Sequence, residues 1–400
     1  MNKPGIAVFT TKKAIYERVA RQSGSISKAK LMEEFMLTSS SLTRLLEELT
    51  NEGWIREAGL GPSTGGRKPY LYQVNPLHRV IFGLEISRLY SALGLYDMEL
   101  NPLAFCRWSM DEGMTPRRLV QYVSGKISSM LEEHGLDREK VAGIGVGAVG
   151  PLDRGKGLIL NPLYFSAEGW LNIPICEWLE QETGIVATLE NGANTALMGE
   201  HWALRDDSIQ HMLYVHAGTG LRSAMMSNGQ LVHGAVDMEG SIGQMIIQTD
   251  GPRLHDAGNY GALEAFASVQ ALEKQVRAQR KMGRRPWPDA EVQHPEAIHF
   301  DMMVEALNRG EPFIREIFDQ SAAYMGIGLA NLINILHPEA VILGGALMNA
   351  HPSYYETAIS VAQKNIYYFP EYQPVFSKGL LQENAVATGA AVLVFKSLSL

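Results

Sequence analysis

Residues 38–54, TSSSLTRLLEELTNEGW, carry the strongest local signal in this chain of 400 residues. Four leucines recur at helical spacing and form one apolar stripe: Leu42, Leu45, Leu46 and Leu49. Thr38 is a suitable N-cap and Gly53 a suitable stop signal. The stretch therefore predicts an amphipathic helix that begins just after Thr38.

The face opposite the leucines carries short hydrogen-bonding side chains and one long cation near the start of the helix. A recognition helix meets base edges with side chains of this kind near its N-terminus. The expected DNA contacts on this helix are Thr38, Ser39, Ser40, Ser41, Thr43 and Arg44.

The flanking segments complete a winged helix-turn-helix. Residues 10–24 and 25–35 predict two preceding helices, the second capped by Ser27. Residues 54–59 and 70–75 predict two short strands, joined by a Gly/Ser/Thr/Pro loop that ends in Arg67 and Lys68. A two-stranded wing with a basic tip can lie along a phosphate backbone. We therefore assign residues 1–75 as a DNA-binding domain, with a protein-binding winged helix as the alternative.

The charge distribution supports a DNA partner. Residues 1–75 contain eleven Lys and Arg, seven Glu and no Asp, so they carry +4, whereas the whole chain carries −8. This leaves −12 on residues 76–400, and a basic head on an acidic body turns the head towards a polyanion. Because the excess positive charge of the head is small, a single copy should bind DNA weakly. We therefore expect a homodimer or homotetramer on a palindromic double-stranded operator.

Composition indicates a protein of the cytoplasm. The two cysteines, Cys106 and Cys176, have no metal-binding spacing and suit a reducing compartment. The N-terminus lacks the pattern of a signal peptide. No apolar run approaches the length of a membrane span, so we expect no membrane partner.

Residues 76–400 contain an internal duplication. Residues 79–101 predict a strand, a tight turn and a second strand, and residues 211–232 repeat this plan with Asn228-Gly229 at a turn. Residues 141–153 predict a buried strand, and residues 184–202 predict a strand followed by a helix. Residues 326–347 predict an apolar helix followed by a strand. Two hairpin-led lobes predict an α/β fold of the actin-like, ribonuclease H-like sugar-kinase type.

The chain resembles the ROK family (repressors, open reading frames, kinases) from about residue 12 to its C-terminus. The motifs GIGVGAVGPLD, LENGAN, GTG, DGPR…GNYGALEAFAS and LANLINILHPEAVILGGAL occur in the family's order. The N-terminal head indicates the repressor branch, since ROK kinases generally lack it. The resemblance implies that residues 76–400 are a sugar-kinase-like effector and oligomerisation domain of two lobes. It also implies a sugar site between the lobes, ATP in the kinases and a structural zinc in many members.

Two departures from the family pattern predict that kinase chemistry is lost. The family's glycine-rich phosphate turn, Asp-x-Gly-Gly-Thr, falls on residues 85–89, which contain no glycine. The family's catalytic Asp falls on Gly192, which has no side chain to accept a proton from a sugar hydroxyl. We therefore expect no catalytic residue and no ATP, so the protein is not an enzyme. An ATP-dependent sugar kinase with an accessory head is the alternative.

The zinc site also departs from the family. Its His and three Cys positions fall on Gln244, His255, Ala257 and Ala262. One imidazole cannot build a tetrahedral structural site, so we expect neither a metal nor another cofactor.

The sugar contacts are partly retained. Asn191 and Glu264 match residues that contact sugar in the family, while Ser241 and Gln244 replace a Glu and a His with other hydrogen-bonding groups. We expect the protein to be a transcriptional repressor of carbohydrate-utilisation genes that is controlled by a carbohydrate effector. We expect these four residues to bind that effector. A vestigial pocket, control by a protein partner, and activation in place of repression remain alternatives.

Overall fold

The structure is a computed structural model that describes residues 12–22, 24–61, 68–283 and 294–400. The chain divides into two compact units, Met1–Arg205 with Val386–Leu400, and Asp206–Ala385. Helices and strands are numbered in chain order. Across the described ranges, we find no helix that is both long and apolar enough to span a membrane.

The first unit begins with a small helical head. Its helices are α1 Lys12–Arg21, α2 Lys28–Phe35 and α3 Ser39–Asn51; its strands are β1 Ile26–Ser27, β2 Ile55–Leu60 and β3 Tyr70–Val74, in the antiparallel order β1–β3–β2. Ser27 accepts a hydrogen bond from the backbone N–H of Lys30, and Thr38 accepts one from that of Ser41, so both predicted caps are confirmed. The sequence did not predict β1, because two residues carry no readable alternation.

The leucine stripe of α3 forms the core of the head, as its spacing predicts. Leu42, Leu46 and Leu49 are buried, while Leu45 is only half-buried at the edge of the stripe. Gly53 adopts a φ of +84°, a conformation that suits glycine and ends the helix.

A mixed sheet forms the centre of the first unit, in the order β10–β7–β4–β5–β6. Its strands are β4 Val80–Ile86, β5 Tyr90–Tyr96, β6 Pro102–Ser109, β7 Val141–Ala148 and β10 Ala187–Asn191, and β8 Leu152–Asp153 pairs separately with β9 Leu158–Ile159. The packed helices are α4 Pro116–Glu133, α5 Ile175–Thr183, α6 Gly192–Leu204 and α13 Ala385–Ser397. Helix α13 lies so close to the sheet that a Cβ on Gly145 would sit 1.8 Å from the carbonyl oxygen of Ala390. Gly145 of β7 therefore permits backbone-to-backbone packing.

The second unit is built around a sheet in the order β13–β12–β11–β14–β15. Its strands are β11 Met212–Ala217, β12 Leu221–Ser227, β13 Gln230–Leu231, β14 Ala340–Gly344 and β15 Val375–Ser377. Its helices are α7 Glu264–Ala267, α8 Val269–Lys281, α9 Phe300–Asn308, α10 Pro312–Leu336, α11 Ala346–Ala350 and α12 Pro352–Lys364. The predicted turn at Asn228-Gly229 is confirmed, with φ values of 52° and 71°.

The predicted duplication is confirmed at the level of topology. In the first unit the β4–β5 hairpin continues through a parallel pairing of β4 with β7. In the second unit the β11–β12 hairpin continues through a parallel pairing of β11 with β14. Each unit is thus a hairpin-led α/β layer, as the sequence pattern predicts.

Candidate functional site

The polar face of α3 is exposed. Ser39, Ser40 and Ser41 are exposed in its first turn, and the side chain of Arg44 is 75 % exposed, 3.8 Å from Glu48. The predicted residues of α3 therefore share one accessible surface of hydrogen-bonding groups and a cation.

Lys28, at the start of α2, extends this surface. Its Nζ donates to the Oγ of Ser39 at 2.9 Å and also to the Oγ1 of Thr43. Thr43 in turn donates to the backbone carbonyl of Ser39 at 2.7 Å. Lys28 could not be identified as a site residue from sequence, because only the crossing of α2 and α3 brings it beside these hydroxyls.

The predicted basic wing is described in part. Lys68 is exposed just before β3. Arg67 lies outside the described residues.

Asn191 occupies the junction between β10 and α6. It is the N-cap of α6, where its Oδ1 accepts a hydrogen bond from the backbone N–H of Ala193 at 3.0 Å, and it is only 4 % exposed. Glu190 beside it is also buried. Its Oε1 accepts hydrogen bonds from Arg154 at 3.1 Å, from the Asn191 backbone N–H at 2.7 Å and from Asn194 at 3.0 Å. The carboxylate of Glu190 is thus committed to organising this junction, and Arg154 is a partner that the sequence analysis missed.

Two places in the first unit correspond to the catalytic Asp and the phosphate turn of ROK kinases: Gly192 and residues 85–89. Gly192 is the first residue of α6, and a Cβ there would have only an ordinary contact, 3.5 Å from the carbonyl oxygen of Ala148. The fold therefore does not require glycine at this position. Residues 87–89 form the turn between β4 and β5, where the Nε of Arg88 donates to the carbonyl of Leu163 at 2.8 Å.

In the second unit, Glu264 brings together residues from three segments. Its Oε1 accepts a hydrogen bond from the backbone N–H of Leu221 at 3.2 Å, and its Oε2 accepts one from the Nε2 of Gln244 at 3.1 Å. The Nε2 of His255 lies 3.6 Å from the same Oε2, and the Glu264 side chain is 15 % exposed. Gln244 and Glu264 are thus neighbours in the structure.

A reciprocal amide pair holds the loop between Gln244 and Glu264. The Oε1 of Gln244 accepts the backbone N–H of Asn259 at 2.8 Å, and the Nδ2 of Asn259 donates to the carbonyl of Gln244 at 2.9 Å. Within the described ranges, no group of three or more His, Cys, Asp and Glu is placed to hold a metal ion.

Ser241 belongs to a separate hydrogen-bonded group. Its Oγ accepts from the Nη1 of Arg222 at 3.0 Å and donates to the carbonyl of Met238 at 2.7 Å. The Nη2 of Arg222 also donates to the carbonyl of Asp237 at 3.1 Å and lies 3.8 Å from its carboxylate. Arg222 was not a predicted site residue, since a single half-buried arginine on a strand gives no pattern in sequence.

Hairpin-led units of this plan define the actin-like sugar-kinase fold. The chain belongs to the ROK family, whose sequence model matches residues 82–397. It is 26 % identical over 378 residues to the xylose repressor of Caldicellulosiruptor bescii, covering 93 % of this chain and 92 % of that protein.

Two solved structures share the fold. A ROK family transcriptional regulator, described as a homolog of the E. coli MLC protein, matches with a TM-score of 0.76 and 21 % identity, covering 96 % of this chain and 95 % of the regulator. The ROK hexokinase from Thermus thermophilus matches with a TM-score of 0.65 and 25 % identity, covering 80 % of this chain and 98 % of the hexokinase. The regulator therefore matches a larger part of the chain than the hexokinase does.

Proposed function

We propose that this protein is a DNA-binding transcriptional repressor of carbohydrate-utilisation genes, controlled by a sugar or sugar derivative. The observation that carries the proposal is the exposed polar face of α3, on a chain whose similarity to a xylose repressor extends over 93 % of its length. The alignment with the xylose repressor is therefore longer than the ROK match, which covers residues 82–397.

Residues 12–75 act in this proposal as a winged helix-turn-helix. Helix α3 enters the major groove, where Arg44 can donate to base edges and Lys28 supports the neighbouring hydroxyls. Lys68 and Arg67 would contact phosphates from the wing. A homodimer or homotetramer would place two such heads on a palindromic duplex.

The effector would be recognised by hydrogen bonds. In the second unit, Glu264 and Gln244 present a carboxylate and a carboxamide, which suit the hydroxyls of a carbohydrate. Ser241 would add a hydroxyl group, held in place by Arg222. In the first unit, we assign Asn191 to the same role.

We further propose that the protein has no kinase activity and uses neither ATP nor zinc. Gly192 offers no base, and the turn at residues 87–89 offers no glycine for the approach of phosphate. The similarity to a hexokinase supports the second candidate, a sugar kinase with an accessory head. ATP turnover with magnesium and a panel of pentoses and hexoses distinguishes the two.

DNA binding is tested with full-length protein and a duplex selected from a randomised pool. Arg44→Ala should weaken binding to the selected duplex by about 1–3 kcal/mol and leave random duplex unaffected. Lys68→Ala should weaken both and reduce the salt dependence, because it removes a phosphate contact. Arg315→Ala, an exposed change on α10, is the matched control. Equal affinity of the unmodified protein for selected and random duplex would refute the proposal.

The effector is tested by thermal shift with D-xylose, N-acetylglucosamine and D-glucose. A sugar that binds the native state must raise the melting temperature. Glu264→Gln should abolish that shift while leaving binding to the selected duplex unchanged. A shift of normal size in Glu264→Gln would place the sugar elsewhere.

A further inference from the structure

Helix α6 runs from the proposed effector residue Asn191 to the DNA-binding head. Asn191 is its N-cap and Arg205 its C-cap, and the 13 residues between them span about 20 Å at the usual helical rise. Every residue from Ala193 to Trp202 is buried. Because close-packed interiors deform little, a displacement at one end of α6 reaches the other end.

Arg205 ties the end of α6 to the head. Its backbone has a φ of 52°, in the left-handed region where a glycine or asparagine is usual at this position. Its Nη1 donates to the carbonyl of Ala20 at 2.6 Å, and its Nη2 donates to the carbonyl of Glu99 at 2.8 Å. Ala20 lies in the last turn of α1, where carbonyls lack partners within the helix. Arg205 therefore caps α1 with a charge-assisted hydrogen bond.

Two further contacts join α1 to the same surface of the body. The Nη2 of Arg21 lies 2.9 Å from the Nδ1 of His201, which is buried on the last turns of α6. The ring of Tyr16 stacks on that of Phe395 from α13, with their centroids 5.5 Å apart. Helix α1 thus rests on α6 and α13 together.

Helices α6 and α13 are packed as one body. A Cβ on Gly389 of α13 would lie 1.6 Å from the carbonyl oxygen of Thr195 on α6, so the two backbones touch. The Nζ of Lys13 on α1 also donates to the carbonyl of Lys396 near the end of α13. A shift of α6 therefore takes α13 with it, and both helices contact α1.

We propose that Arg205 is the positioning residue through which sugar binding at the start of α6 changes the placement of the head. The proposal rests on the proposed function, because it takes Asn191 as an effector contact. Ligand contact with the N-cap displaces α6 and α13, Arg205 carries the end of α1 with it, and α1 packs against the recognition helix α3. Sugar binding in the body is thereby coupled to DNA binding by the head.

Hydrogen exchange on the full-length protein tests the docking without any ligand. In Arg205→Ala, the amides of residues 12–22 should exchange about tenfold faster, because a hydrogen bond to a charged group is lost. Arg205→Lys retains the cation and should give a smaller increase. Arg315→Ala is again the control. Unchanged exchange of residues 12–22 in Arg205→Ala overturns the docking role.

The coupling is tested by the ratio of Kd values for the selected duplex with and without each of D-xylose, N-acetylglucosamine and D-glucose. Typical couplings are about 5–150-fold, and Arg205→Ala should bring the ratio close to one. A purely structural defect would weaken binding equally with and without sugar and leave the ratio unchanged. If Arg205→Ala does not fold, Arg205→Lys is measured and should give an intermediate ratio.

The two tests separate the possible failures. A wild-type ratio of one with all three sugars refutes control by these sugars and the coupling with it, while the exchange result still decides whether Arg205 docks the head. A normal ratio in Arg205→Ala, combined with faster exchange of residues 12–22, refutes the coupling alone.

Discussion

Replacing Gly145 with alanine tests the packing of α13 on the central sheet. The new Cβ would lie 1.8 Å from the carbonyl oxygen of Ala390 and 2.5 Å from its carbonyl carbon. Ordinary contact begins near 3.4 Å, so the α13 backbone must retreat by about 1.6 Å. Because the obstacle is backbone, no rotamer change relieves it. We expect a loss of about 3 kcal/mol, the upper part of the usual range for overpacking.

Gly125→Ala is the matched control in the same unit. Gly125 is exposed on α4, and nothing lies within 4 Å of a Cβ there. Alanine should stabilise the helix by about 0.5–1 kcal/mol, because glycine loses more backbone entropy on folding. The same chemical change thus has opposite expected signs at the two sites.

Urea unfolding, followed by far-UV circular dichroism, measures both variants. With a denaturant slope of about 3 kcal/mol per molar, Gly145→Ala should lower the midpoint by about 1 M, and Gly125→Ala should raise it slightly. The retreat of α13 should also loosen α1, which stacks on Phe395 through Tyr16. A midpoint for Gly145→Ala equal to that of the unmodified protein would show that α13 does not lie on β7 as described.

Three further predictions concern cofactor, catalysis and pH. EDTA should leave the melting temperature unchanged, and one tightly bound zinc per chain by elemental analysis would contradict that expectation. Gln244→Ala should lower the melting temperature by roughly 2–4 °C, because the amide pair with Asn259 braces the loop. Gly192→Asp should fold, since a Cβ has room there, yet show no sugar phosphorylation in a coupled ATPase assay, and sustained turnover would count against the proposed function. Burial, with smaller contributions from Arg79 and Lys140, lowers the pKa of His78 from its ordinary 6.5, and its ring packs on Trp54 at 4.5 Å. Protonation of His78 therefore favours states in which its ring is exposed. The stability that the neutral, packed ring contributes is complete above pH 6.5 and is lost as pH falls through the lowered pKa. Urea midpoints at pH 7.5 and 5.5 should differ less in His78→Gln than in the unmodified protein. Equal differences in the two proteins would contradict this role of His78.

Local signals in the sequence were sufficient for the three helices of the head, for helices α6 and α10, and for the strands of both leading hairpins. The caps at Ser27 and Thr38, the leucine stripe of α3 and the turn at Asn228-Gly229 each depend on residues within a few positions of one another. Such interactions are governed by short-range geometry, which the order of residue types already determines. The duplicated hairpins could be predicted for the same reason.

The tertiary structure decided the contacts that join distant segments. Lys28 reaches Ser39 only because α2 crosses α3, and the reciprocal amide pair of Gln244 and Asn259 depends on the path of the loop between them. Arg205 lies 185 positions from the carbonyl of Ala20 that it caps. No local pattern encodes that bond, because it depends on where whole helices are placed by the packing of their apolar faces. The sequence by itself therefore determined the elements that carry strong local signals and the residue types of the site, and only the packing decided which of those residues meet.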